Sequence, residues 1–129
     1  MKMSKIGFVG FGEINTPVDV VIRKCAAAAA ALEGEGLELV KAYPVADDPE
    51  EKQIGEALAT LDSEHIDALV LCVAGWIPTH AVIKITEHYR RLPMVLWGLC
   101  GWYEGDRLVT TADQAGTAGL RATFEGLGY

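Results

Sequence analysis

The sequence predicts a three-layer α/β fold, a flavodoxin-like or Rossmann-like parallel sheet with helices on both faces. Four short apolar segments, each a candidate strand, alternate along the chain with four segments whose apolar residues recur at helical spacing. The third apolar segment, Ile66–Val73, is almost free of polar residues, which is typical of a central strand in a parallel sheet. Because strand–helix–strand crossovers are right-handed, this alternation favours the strand order 2-1-3-4.

A loop that contains glycine joins the first strand to the first helix. The apolar run Lys5–Gly10 predicts a buried strand, and Phe11–Thr16 predicts the loop. Thr16 can cap the helix that follows, since Pro17 suits the first helical position, where a missing N–H leaves no bond unmade. Apolar residues then recur at helical spacing until Gly34 ends the helix.

The second strand and the second helix come next. Leu37–Tyr43 alternates only in part between apolar and polar residues, so we expect an edge strand with one face in water. Asp48–Glu51 combines a capping residue, a proline at the first helical position and two acids at the positive end of the helix dipole. This pattern predicts a helix that starts there and runs to about Ser63.

The second half of the chain repeats the alternation of strands and helices. After the third strand, Ala74–Thr79 predicts a loop and 80–89 a helix. Met94–Trp97 predicts the fourth strand, and Leu99–Arg107 a long loop. Thr111–Gln114 has the spacing of a capping box and opens the last helix, with Asp113 and Gln114 as helix-start residues.

The chain has the size of one domain and shows no internal repeat or linker. Its 129 residues suit a single α/β unit. Sheets of the flavodoxin type commonly have a fifth strand, and the sequence stops where that strand would be expected. We therefore expect residues 1–129 to form one domain that is the N-terminal part of a longer multidomain chain.

Charge and cysteine content exclude several classes of protein. The net charge of -7 argues against a nucleic-acid partner, because phosphate binding needs a basic face, and the 50% hydrophobic content excludes a disordered chain. Three cysteines without paired spacing form no disulfide framework and no Cys-x-x-Cys motif, which favours the reducing cytoplasm. The start, Met1–Lys5, leads into a strand without an apolar leader, and no segment is long enough to span a membrane.

A ligand of an open parallel sheet binds at the carboxyl ends of the strands, where three of the predicted loops meet. The first loop contains Gly10 and Gly12, but the third glycine of a dinucleotide fingerprint is missing, and no loop matches a phosphate-binding P-loop. Trp76 follows Gly75 in the second loop. A large amphipathic ring there can stack on a sugar face or pack against a partner subunit, and both interpretations remain open.

The polar residues near these loops assemble no catalytic centre. His65, His80 and His88 lack the spacing of a metal site, although His80 can face the loops as well as cap a helix or face solvent. Glu13 could act as a base, but a single loop carboxylate is usually solvated. Cys72 and Cys100 are expected to be small buried groups, because no Lys, Arg or His adjoins them to lower a thiol pKa. The residues alone therefore predict a binding or assembly domain, with no catalytic residue and no metal ligand.

Four segments of the sequence are distinctive when taken together. They are the opening KIGFV (Lys5–Val9), GWIPTHAV (Gly75–Val82), PMVLWG (Pro93–Gly98) and TTADQAG (Thr110–Gly116). In this combination the chain resembles the N-terminal domain of the L-fucose/L-arabinose isomerase family, over essentially its whole length and most clearly from Asp67 onward.

The resemblance implies that the chain is part of an aldose–ketose isomerase. Members of the family interconvert sugars through an enediol with a divalent metal, usually manganese. Glu, Asp and His of later domains hold that metal, and this chain has no counterpart for them, so we expect no cofactor here. The family forms trimers or hexamers in which the N-terminal domain of one subunit covers its neighbour's active site. The implied partners are thus the sugar substrate and further copies of the same protein.

Four residues become substrate-binding candidates through the resemblance. Trp76 is similar to the family's tryptophan that reaches into the adjacent subunit's sugar pocket, and His80 lies in the same motif. The loop after the first strand is a family sugar-contact region. It offers Glu13 and Asn15 here, where well-known members have Arg or Gln, so the identity of the sugar stays open. The alternative is a free-standing flavodoxin-like domain that binds a small ligand, or an interaction partner, at the same loops.

Overall fold

A computed structural model describes residues 4–129, and it confirms the α/β architecture and the strand order 2-1-3-4. The residues Met1–Met3, on which part of the expectation about a leader rests, lie outside the described part. All four main strands run parallel, and they alternate with helices. In chain order the elements are β1 Lys5–Phe11, α1 Val18–Gly34, β2 Glu38–Val45, α2 Lys52–Asp62, β3 Ala68–Val73, α3 Thr79–Thr86 with a 3-10 turn Glu87–Tyr89, β4 Met94–Gly98, β5 Trp102–Glu104, β6 Arg107–Val109 and α4 Asp113–Gly126.

The sheet has an apolar core on each face. On one face, Val9 and Leu71 pack with the buried side chains of α2, α3 and α4. On the other face, Phe8, Val70 and Cys72 pack with α1. Alternate residues of a strand point to opposite faces, so β1 after Lys5 and the whole of β3 need apolar residues or glycine at successive positions to fill both cores. This double burial is why the sequence of these two strands lacks the polar alternation of an exposed sheet.

The second strand lies at the edge of the sheet, as its sequence predicts. It pairs in parallel with β1 alone, and Lys5 of β1 aligns with Glu38. Glu38 and Lys41 are exposed, whereas Ala42 and Val45 are buried. The expected wet face is wrong, because both faces of this edge strand are covered: Ala42 packs in the core on the α2 side, and its neighbour Tyr43 packs in the core on the α1 side.

Two of the predicted helix starts are wrong, by one residue in α1 and by a few residues in α2. The helix α1 begins at Val18 and has no side-chain cap, because Pro17 takes the capping position that the sequence assigns to Thr16. The Thr16 amide donates to the Glu13 carbonyl in a turn just before it. The helix α2 begins at Lys52, since the chain first makes a turn that ends at Glu51 in a left-handed conformation (φ 54°). Asp48 still accepts a hydrogen bond from the Lys52 amide at 2.8 Å, so it satisfies the first turn from four residues upstream.

The long loop predicted at Leu99–Arg107 is wrong, because most of this segment forms an antiparallel hairpin of β5 and β6. Trp102 faces Val109 across the hairpin, and Tyr103 faces Leu108. The turn contains Gly105, whose φ of +65° suits glycine. Two pairs of apolar or aromatic residues, Trp102–Tyr103 and Leu108–Val109, flank Glu-Gly-Asp-Arg, and this pattern is a hairpin signal that sequence reasoning missed.

Candidate functional site

The loops after β1 and β3 form one continuous surface at the carboxyl edge of the sheet. The amides of Ala74 and Gly75 donate to the Phe11 carbonyl at 2.9 and 3.1 Å. The Glu13 amide donates to the Trp76 carbonyl at 2.8 Å. These bonds bring together two of the predicted site residues, Glu13 and Trp76, whose sequence positions are far apart.

The segment before α4 completes this surface. The Trp76 amide donates to the Thr111 carbonyl at 2.8 Å, and the Thr111 hydroxyl donates to the Ala74 carbonyl at 2.6 Å. The capping box predicted at Thr111–Gln114 is therefore wrong. The residue before α4 is Ala112, and no side chain caps the helix, since the Thr111 hydroxyl is used by the loop after β3.

Trp76 has an exposed indole, while its backbone amide and its backbone carbonyl are both hydrogen-bonded. Its side chain is 42% exposed, while the next residue, Ile77, is 2% exposed and anchors the loop in the core. The helix α4 passes close by, since a Cβ atom at Gly116 would lie 3.2 Å from the Trp76 Cα. The ring faces solvent, and the polypeptide that carries it is packed.

Glu13 borders a cleft of about 300 Å³ between the ends of β1 and β2. Glu13 is half-buried, and Gln53 of α2 lines the same cleft. Gln53 accepts a hydrogen bond from the Ala46 amide at 2.8 Å, which fixes its side chain on this edge. Sequence reasoning missed Gln53, because nothing in the spacing of α2 marks it as a residue of the β1 loop.

Asn15 and His80 are exposed, and the structure joins neither to Trp76 by a hydrogen bond. Asn15 lies in the loop after β1, next to Ile14, whose amide donates to Asp47 at 2.9 Å. His80 is the second residue of α3, four positions beyond Trp76. Within residues 4–129, no three His, Cys, Asp or Glu side chains are grouped so that they could hold a metal ion.

The two glycines of the first loop serve packing. A Cβ atom at Gly10 would overlap the Cys25 sulfur, and a Cβ at Gly12 would lie 2.6 Å from a Val21 methyl group. The helix α1 therefore rests directly on the end of β1. Close helix–strand contact explains this Gly-x-Gly without a nucleotide.

A buried ion pair lies beneath the same loops. Lys24 Nζ is 2.5 Å from Asp113 Oδ2, and the Asp113 side chain is fully buried. The prediction that Asp113 is simply a helix-start residue is thus incomplete, because its carboxylate binds a lysine of α1. No local pattern could reveal this contact, since 89 positions separate the two residues in the chain.

The cysteines near the site differ in environment. Cys72 is buried as predicted, and a hydrogen bond with Cys25 together with burial raises the pKa of its thiol. Cys100 is exposed, so its predicted burial is wrong. It lines an open groove of about 530 Å³ with Arg23, Lys24 and Trp102, because the hairpin leaves the sheet at this point. The Trp102 ring is covered there by Arg23 Cζ and Lys24 Nζ, at 5.5 and 5.4 Å from its centroid.

Comparison with protein-family models, with curated proteins and with solved structures finds no match for this chain. In the part of the chain that the structure describes, no helix is long and apolar enough to cross a membrane.

Proposed function

We propose that this chain is the N-terminal domain of an aldose–ketose isomerase similar to L-fucose and L-arabinose isomerases. In this proposal the domain lends Trp76 to a sugar pocket that a neighbouring subunit completes. The observation that carries it is the combination at Trp76, a 42% exposed indole on a loop whose backbone is hydrogen-bonded on both sides. The resemblance of the Gly75–Val82 segment supports the same role.

The physics of the exposed indole favours a sugar or a subunit contact. A tryptophan ring in water leaves a large apolar surface unburied, and the C–H face of a sugar covers such a surface well. Because the backbone of Trp76 is already held by hydrogen bonds, little backbone entropy is lost when a ligand docks on the ring. The loop that carries the indole is therefore preorganised for binding.

In the proposal, the other candidates would supply polar groups for the sugar. The Glu13 backbone is joined to the Trp76 backbone by a hydrogen bond, and a carboxylate on this loop could accept hydrogen bonds from sugar hydroxyls. The Asn15 amide on the same loop can both donate and accept, and His80 offers a ring nitrogen at the start of α3. These contacts would orient a polyol over the indole.

The proposal places the metal chemistry of the family in other domains. The family's enediol step uses a divalent metal, and within residues 4–129 no three His, Cys, Asp or Glu side chains are grouped so that they could hold one. The proposal assigns this domain the roles of substrate contact and subunit interface. The manganese ligands belong, in the proposal, to later domains of the same protein.

Kinetics of the longer protein test this assignment. We expect Trp76→Ala to lower kcat/KM for the aldose substrate by about tenfold, the scale of one lost aromatic contact, and Trp76→Phe to lower it less. The bound metal, measured by elemental analysis, should not change. Tyr103→Ala is the matched control, since Tyr103 is an exposed aromatic residue on the hairpin. Unchanged kinetics in Trp76→Ala would refute the proposal.

The cleft beside Glu13 favours one alternative, a free-standing domain that binds a small ligand. Its volume of about 300 Å³ lies at the lower end of the range of small-molecule sites. The gene beyond Tyr129 distinguishes the two functions. A reading frame that continues into domains with Glu, Asp and His supports the isomerase, and a stop codon supports the free-standing domain.

A further inference from the structure

The ion pair of Lys24 with Asp113 stands apart from the others by its burial. Its side chains are 10% and 0% exposed, whereas both side chains are at least 29% exposed in every other ion pair within residues 4–129. Removing two charges from water is costly, and such a pair seldom adds stability over apolar residues of the same size. We propose that Lys24 and Asp113 are positioning residues, which together with Thr111 hold the loop that carries Trp76.

Thr111 links the ion pair to that loop. Its hydroxyl accepts a hydrogen bond from Lys24 Nζ at 2.9 Å and donates one to the Ala74 carbonyl at 2.6 Å. Its own carbonyl accepts the Trp76 amide at 2.8 Å. Thr111 thus holds the loop on either side of Gly75, and the Trp76 carbonyl in turn accepts the Glu13 amide.

The backbone before α4 is shaped so that this contact can form. Ala112 adopts a left-handed conformation with φ of 56°, which non-glycine residues rarely do. The residues on either side of it, Thr111 and Asp113, both contact the Lys24 ammonium. A strained residue persists where its surroundings hold it, and here the buried lysine supplies that hold.

The lysine is not free to bind a ligand in place of this role. Two of its hydrogen bonds go to Asp113 and Thr111, and the ammonium lies 5.4 Å from the centroid of the Trp102 ring. Two of its three N–H donors are therefore used within the chain, and the Asp113 carboxylate balances its charge. The open groove nearby gains no vacant positive charge from Lys24.

Amide hydrogen exchange of this chain, followed by NMR, tests the proposal. Thr111→Val keeps the shape of the side chain and removes both hydroxyl hydrogen bonds, so we expect the Trp76 and Glu13 amides to exchange about tenfold faster. Amides of the β1–β2 pairing should keep their rates. The matched control is Thr60→Val on α2, an exposed threonine whose hydroxyl donates to the Glu56 carbonyl. It should leave the two loop amides unchanged.

A second variant separates positioning from stability. Lys24→Met combined with Asp113→Leu removes the pair without leaving a buried charge, so the fold is retained. We expect the same two amides to exchange faster in this double variant too. Unchanged rates at both amides, or an equal rise throughout the sheet, would overturn the proposal.

This inference rests on the proposed function in one respect only, the proposal that the Trp76 indole contacts a sugar. The exchange experiment contains no sugar, and it measures the loop in the isolated chain. Failure of the isomerase assay would leave its result intact, and failure of the exchange experiment would leave the kinetic test of Trp76 intact.

Discussion

The three cysteines show how surroundings set the chemistry of a residue type. Cys25 and Cys72 are buried in the core between the sheet and α1, and Cys100 is exposed at the end of β4. The hydrogen bond with Cys25 and the loss of water raise the pKa of Cys72, so it stays a thiol at neutral and mildly alkaline pH. Only the thiolate is nucleophilic, and Cys72 is therefore protected both chemically and sterically.

We expect iodoacetamide at mildly alkaline pH to label the native chain at Cys100 alone. Mass spectrometry of the intact protein should show a single adduct before unfolding in urea and three adducts afterwards. Cys100→Ser should abolish labelling of the native chain. Labelling of Cys72 at the rate of an exposed thiol would contradict the burial described here.

Single residues of the site were harder to predict than the strands. The loop of Trp76 has no strand to cover it, which predicts an exposed ring, and the residue is exposed in the structure. The neighbours of Asp113 predict only a helix-start residue, and its partner Lys24 lies on a helix that is distant in the chain. Contacts between distant segments leave no trace in local spacing, and such contacts build this site.

At the level of elements, periodic patterns proved more reliable than capping signals. Beyond Lys5, the strands β1 and β3 contain only apolar residues and glycine because both of their faces are buried, and the sequence alone shows this pattern. The predicted cap of α4 is wrong because the Thr111 hydroxyl donates instead to the Ala74 carbonyl, in the loop after β3. A capping residue is a local signal, and tertiary contacts can redirect it.

Two glycines in different elements should respond in opposite ways to alanine. Gly55 lies in α2 with open space around it, so Gly55→Ala should raise the free energy of unfolding by about 1 kcal/mol through helix propensity. Gly10 lies in β1 against the Cys25 sulfur and the Tyr43 Cβ, so Gly10→Ala should lower it by about 1–3 kcal/mol. Urea denaturation measures both, and a destabilising Gly55→Ala would contradict the packing of α2.

On the scale of the whole molecule, the candidate site lies at one edge of the sheet, where the strands have their carboxyl ends. The helices α2, α3 and α4 cover one face of the sheet and α1 covers the other, so the loops at the carboxyl ends of the strands remain open. Glu13, Trp76 and Thr111 meet at this edge through backbone hydrogen bonds. The architecture thus followed from hydrophobic patterns, while the arrangement of the site required the folded chain.

A crystal structure of the longer protein that the proposal implies, with an aldose bound, tests the central claim most directly. The proposed role of Trp76 predicts that its ring stacks on the sugar in a pocket lined by a neighbouring subunit, with Glu13 and Asn15 beside it. It would be contradicted by a sugar that is bound far from this ring, or by a Trp76 that is enclosed within its own domain with no other protomer near.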